Sequence, residues 1–254
     1  MTIGEREKIE VIFDEVAKKV TSVKKDIASL KTVIDGFELQ GKSVLEVGCG
    51  IGDNLIYCSQ KGALYAEGFD ISGESIKLAQ QKTKGLSNIF FHKCSIEEYD
   101  SERNFDFILA WGVFEYVDNP IESLKKMLNF LSDNGTIILF ISKPIFIKKI
   151  SFLFRAVLSK LPADAALPVA RFLGKFLGGF ESILRKILYI GESNTYSMEQ
   201  TILEGLMVPR YNIFHHRRFT DYLQNENFTV GFLNGTTPSM IGMVASKKRG
   251  KNAE

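Results

Sequence analysis

The chain has 254 residues, 45% of them hydrophobic and 24% charged, with a net charge of +2 at neutral pH. That balance suits a globular protein of one large domain and excludes wholesale wrapping of nucleic acid. No apolar run approaches the roughly eighteen residues that span a bilayer. The charged start, MTIGEREKIEVIFDEV, does not read as a secretory leader, and the odd set Cys49, Cys58 and Cys94 lacks disulfide or zinc spacing. A reducing, cytoplasmic setting is the expectation.

In chain order, Ile9, Ile12, Phe13, Val16 and Val20, then Ile27, Leu30 and Ile34, recur at helical spacing, so residues 1–40 read as a helical segment. From Ser43 strands and helices alternate. SVLEV, ALYAEGFDIS, NIFFHKC, FDFILAWG and TIILFIS read as five strands. NLIYCSQKG, ESIKLAQQKTKG and PIESLKKMLNFLSDNG read as helices, the last closed by Asn134-Gly135. This alternation predicts a parallel sheet wrapped by helices over 41–142, with its ligand along the rim of strand C-termini. It stops at Lys143-Pro144, and 143–207 reads as a helical insertion after the fifth strand. RRFTDYLQNENF then predicts a return helix, and TVGFLNG and MIGMVAS predict a hairpin that completes the sheet over 208–247 with one antiparallel strand. The tail, 248–254, reads as disordered.

Two glycine patterns compete for the ligand. Gly36–Ser43, GFELQGKS, matches the phosphate-binding pattern G-x-x-x-x-G-K-[ST], but it precedes a strand instead of following one. A phosphate loop follows a strand and opens a helix, so this match carries no function. VLEVGCGIGDN, Val44–Asn54, has the right context. Gly48, Gly50 and Gly52 remove Cβ atoms where a ligand must lie against backbone. The dinucleotide fingerprint would need glycine where Asp53 stands, and Glu46 and Asp53 are poor neighbours for a pyrophosphate. Asp70, ending the second strand, can accept both hydroxyls of a ribose. A cationic nucleoside is the ligand these residues describe.

Val44–Gly52 (VLEVGCGIG), with Gly68–Ser72 (GFDIS) and FDFILAWGVFEYV, resembles the class I S-adenosylmethionine-dependent methyltransferases over roughly residues 42–142. The resemblance implies a Rossmann-like, doubly wound α/β fold: a seven-stranded, mainly parallel sheet with an antiparallel terminal strand. It implies S-adenosyl-L-methionine as cofactor and S-adenosyl-L-homocysteine as product. Glu46 and the backbone of Gly48, Cys49, Gly50 and Gly52 would hold the methionine portion, Asp70 the ribose, and Ile71 the adenine. Ser95, with Ile96 after it, stands where the family usually has an acidic residue near the adenine. Ala110 and Trp111 would flank the methionine arm, and Glu115-Tyr116 replaces the frequent Glu-His.

Methyl transfer needs a base only where the acceptor must lose a proton. His215 and His216 are the candidates, with Tyr211 as a hydrogen-bonding group, although adjacent histidines beside two arginines also read as solvated surface. No metal site is legible. From Lys143 to Ile190 nine Lys/Arg stand against Asp164 and Glu181. The insertion reads either as a lid whose apolar stripe packs on the body, or as a membrane-surface segment over 145–190. The expected activity is methylation of a small-molecule acceptor, at an oxygen of a hydrophobic or glycosyl compound, with no nucleic acid partner. A lipid or lipid-linked (quinone-like) acceptor is the alternative, and a non-catalytic cofactor-binding protein of the same fold the second.

Overall fold

The computed structural model describes residues 3–20, 32–142, 155–178, 199, 202–212, 215–233 and 240–247. The expected tail at 248–254, the Asn234-Gly235 turn and most of the apolar stripe of the insertion lie outside these residues.

Seven strands form one sheet: β1 Ser43–Val47, β2 Tyr65–Asp70, β3 Ile89–Lys93, β4 Phe105–Trp111, β5 Leu131–Ser142, β6 Phe228–Phe232 and β7 Met240–Lys247. Their order is β3-β2-β1-β4-β5-β7-β6. Pairs among β1 to β5 are parallel, whereas β7 runs antiparallel to both β5 and β6. The seven-stranded, mainly parallel sheet is therefore as expected, with β7 as its antiparallel strand. Strand order reverses between β1 and β4, which opens a crevice at the C-terminal ends of these two strands.

Helices α1 Ile3–Val20, α2 Asp53–Gln60, α3 Gly73–Lys82, α4 Pro120–Leu128, α5 Ala163–Gly178 and α6 Arg217–Asn225 surround the sheet. On one face Leu124 and Met127 of α4 and Phe219 and Leu223 of α6 pack over Leu45, Ile108 and Leu139. On the other, Leu55 and Cys58 of α2 and Ile76 of α3 pack over Val44, Ala66 and Leu109. Burying each such aliphatic side chain stabilises by about 1.5–3 kcal/mol, so the sheet is held from both sides.

The helix expected over 120–135 ends at Leu128. Asn119 caps its start by accepting from the Glu122 N–H at 3.4 Å, and Pro120 supplies the preset φ of the first turn. Leu131 already pairs with Phe105, and the Phe105 N–H donates to the Phe130 carbonyl at 2.7 Å. Asn134-Gly135 thus lies within an irregular stretch of β5, where the register shifts before Thr136 pairs with Phe107. The GFELQGKS match is a turn at the wrong end of β1: the Gly41 N–H donates to the Gly62 carbonyl, and Lys42 pairs with Asp106.

A third apolar cluster sits over the rim. Ile9, Ile12 and Val16 of α1, Ala166 and Ala170 of α5, and Leu203 and Met207 of a π-helical turn, Leu203–Met207, pack with Ile51 of the glycine loop. Phe13, Ile71 and Tyr116 border it. Asp14 ties α1 down by accepting from the Ser72 hydroxyl and the Glu74 N–H at the start of α3.

Candidate functional site

The crevice between β1 and β4 is built from a strand that must turn sharply into a helix. Gly48, Gly50 and Gly52 all have positive φ, a conformation costly to residues with a Cβ. Their surroundings differ. A Cβ on Gly48 would stand 2.5 Å from a Val113 methyl carbon, and one on Gly52 2.7 Å from the Phe91 ring. A Cβ on Gly50 would meet no atom within 4 Å. Two glycines therefore let protein pack against the loop, and the third faces the open side.

Glu46, 2% exposed on β1, lies beneath this loop and accepts a hydrogen bond from the Asn54 amide. Asn54 is a site residue that sequence reasoning missed. Its position after GIGD, in the first turn of α2, was the available signal. Cys49 is buried, packed where the absent Cβ of Gly68 leaves room for its sulfur.

Asp70, at the end of β2, accepts from the Gly50 N–H and the Ser72 N–H, each at 2.8 Å. Its carboxylate braces the loop, and with about four lone-pair sites it keeps capacity for further donors. Ile71 follows at the edge of the rim cluster. Ser95, after β3, is 7% exposed; its N–H donates to the Glu98 carboxylate at 3.1 Å, and its hydroxyl lies against the same carboxylate. Ile96 is packed with Phe69 and Tyr99 in the core.

Ala110 is fully buried beside Val47 at the end of β4. Trp111 points to the opposite sheet face, stacked on Phe140 at 3.9 Å. After the Gly112 turn, Glu115 is buried and accepts from the Ser142 N–H at 2.6 Å, which joins the ends of β4 and β5. Tyr211 donates to the Ser142 hydroxyl at 3.0 Å, and its ring meets Tyr116 edge-on at 5.5 Å. Burial, then Glu115, pushes the Tyr211 phenol up to about 12, and burial raises Tyr116 well above its usual value. Both phenols are protonated at neutral pH, and Tyr211 serves as a donor to Ser142.

His215 and His216 lie elsewhere. They precede α6 at the outer edge of the sheet, where His216 meets Phe232 of β6 edge-on at 5.5 Å. β6 is three strands from β4, roughly 14 Å at the usual strand spacing. Burial, then His215 and Arg217, lowers the His216 pKa, so its imidazole is neutral at pH 7. The geometry brings together Glu46, Gly50, Asp70 and Ser95 around one crevice and Tyr116, Tyr211 and Ser142 beside it, and leaves the histidine pair at the edge.

Residues 22–144 match a family model described as a methyltransferase domain. A probable (S)-tetrahydroprotoberberine N-methyltransferase 2 from Papaver bracteatum is 30% identical over 98 residues, 37% of this chain and 27% of that one. A ubiquinone biosynthesis O-methyltransferase from Paracidovorax citrulli is 31% identical over 107 residues, 40% of this chain and 44% of that one. The matches thus span between a quarter and a half of these curated relatives. A crystal structure of a putative S-adenosylmethionine dependent methyltransferase from Listeria monocytogenes shares the fold at TM-score 0.60, with 16% identity over 88% of this chain and 100% of that one.

Proposed function

We propose, for a chain that belongs to the class I S-adenosylmethionine-dependent methyltransferases, that it moves a methyl group from S-adenosyl-L-methionine to a small-molecule acceptor. The observation that carries this reading is the open face at Gly50, between buried Glu46 and the Asp70 carboxylate.

The residues fit the cofactor. Gly50 leaves space where a side chain would intrude, and the two carboxylates suit a cationic amino-acid and ribose ligand. Bound there, the cofactor supplies an electrophilic methyl group on a sulfonium. Glu46, oriented by Asn54, would accept from its ammonium end. Asp70 would accept from the ribose hydroxyls while holding the Gly50 N–H, and Ser95 would border the adenine edge. Ile51, Ile71 and the α1–α5 cluster exclude water from the rim. Tyr116 and Tyr211, held protonated beside the crevice, line the side where an acceptor would sit, and Tyr211 donates its proton to the hydrogen bond with Ser142. Fixing two reactants in line is worth up to about 7–11 kcal/mol in well-aligned systems.

Titration calorimetry with S-adenosyl-L-methionine and S-adenosyl-L-homocysteine tests the cofactor, and transfer of a labelled methyl group into a fractionated cell extract tests the reaction. No heat with either compound would sink the reading and favour a fold kept without its chemistry.

One observation favours a membrane-presented acceptor as a second reading. Phe172 and Phe176 on α5 are 69% and 68% exposed and stack at 6.5 Å, with Lys175 beside them. Exposed aromatics flanked by lysine suit an anionic bilayer surface. No helix among the described residues is long and apolar enough to cross a membrane. Co-sedimentation with phosphatidylserine vesicles, reduced by salt and by F172S/F176S, is the expected result. A protein that stays in the supernatant at low salt would exclude this reading.

A further inference from the structure

Arg155 is a buried cation with no carboxylate partner among the described residues. It is 4% exposed, in the insertion directly above the Tyr116–Tyr211 pair. Its guanidinium donates to the Gly205 carbonyl at 2.6 Å and to the Val208 carbonyl, and lies 4.8 Å from the Tyr211 ring centre. Those carbonyls fix the fork but do not neutralise it, and three of its five N–H groups remain. No carboxylate of the described residues pairs with it. A second cation is close: the Lys8 ammonium donates to the Ser159 and Leu161 carbonyls. Burial first, and then Arg155, lowers the Lys8 pKa, so the two positive charges sense each other.

Keeping a guanidinium out of water without an opposite charge costs several kcal/mol. A purely structural strut would be served as well by a neutral donor, or would carry a carboxylate partner. The location is informative. Tyr211 under the guanidinium reaches Ser142 at the end of β5, and Glu115 joins that same residue to the turn after β4. The cation thus stands over the acceptor side of the crevice and away from the Glu46–Asp70 side, and its fork geometry matches an oxyanion.

We propose that Arg155, seated over the Tyr211 ring, recognises an oxyanion, carboxylate or phosphate, carried by the methyl acceptor. The proposal rests on the methyltransferase reading and names a feature of its substrate. Carboxylate and phosphate share this chemistry, and two probes tell them apart.

The test titrates benzoate, phenyl phosphate and neutral benzamide into the full-length protein saturated with S-adenosyl-L-homocysteine. At least one anion should bind about tenfold or more tighter than benzamide, consistent with a charge-assisted pair. The preferred anion identifies the source. R155Q should abolish that preference, and R155K should keep part of it, with the affinity for S-adenosyl-L-homocysteine unchanged in both. Equal binding of benzamide, no anion binding by the wild type, or a preference that survives R155Q would overturn the proposal. The wild-type comparison decides even where R155Q does not fold. Failure of the wild type to bind S-adenosyl-L-homocysteine would instead overturn the methyltransferase reading beneath it.

Discussion

Replacing Gly50 or Gly52 with alanine separates the two uses of the loop. Both residues have positive φ, +51° and +79°, so alanine at either costs about 1–2 kcal/mol of backbone strain. At Gly52 the new methyl also meets Phe91 Cζ at 2.7 Å, Phe91 Cε1 at 3.0 Å and Ala79 Cβ at 3.2 Å. Overpacking of that kind adds about 1–3 kcal/mol. At Gly50 it meets nothing within 4 Å, so strain is the whole cost to the ligand-free protein. With about 2–4 °C of Tm per kcal/mol for a chain near this size, G52A should melt several degrees below G50A. Calorimetric titration with S-adenosyl-L-methionine should give the opposite order. G50A, whose methyl occupies the open side, should bind at least about tenfold more weakly, whereas folded G52A should bind nearer to wild type. A G50A protein with wild-type affinity would show that the ligand does not lie against this loop. Equal destabilisation by both variants would show that the space at Gly50 is not open.

Asp70→Ala removes the acceptor of two N–H groups and should cost about 2 kcal/mol in thermal denaturation while weakening cofactor binding at least tenfold. Unchanged affinity would move the ribose elsewhere. Asp14→Ala should loosen α1 from the start of α3 by about 1 kcal/mol, read as faster amide exchange in both helices; unchanged exchange would contradict the tether. In a label-transfer assay H215A/H216A should keep turnover within a few-fold, and a loss of about 100-fold or more would reinstate the pair as a general base. Burial, then Glu98, pushes the Cys94 thiol up to about 11. At pH 8 it is therefore protonated and should react slowly with a disulfide reagent until the protein is denatured; rapid labelling in the native state would refute this.

The parts of the fold legible in sequence were those set by short-range pattern. The five apolar runs behind β1 to β5 each carry their period locally, and the loop VLEVGCGIG declares itself by strand, glycines and helix in succession. The end of α4 is not legible in the sequence, because Asn134-Gly135 reads as a helix stop. The long-range pairing of Leu131 with Phe105 overrides that local signal. The site was legible where one segment builds it and hidden where distant segments meet. Asp14 reaches Ser72 across 58 residues, and Arg155 reaches Val208 across 53. In the sequence Arg155 is simply one of nine basic residues of the insertion. Only its burial against neutral carbonyls distinguishes it.

The insertion of β7 between β5 and β6 has a consequence for how the chain is made. During synthesis β6 appears before β7, the strand that joins it to the sheet. Until Met240–Lys247 emerge, the apolar edge of β5 from Ile137 to Ile141 has no neighbour on that side. An unpaired edge of that composition invites pairing with another nascent copy. A chain cut short before residue 240 should therefore aggregate rather than fold with one strand missing, and β7 acts as the latch that renders the earlier strands safe.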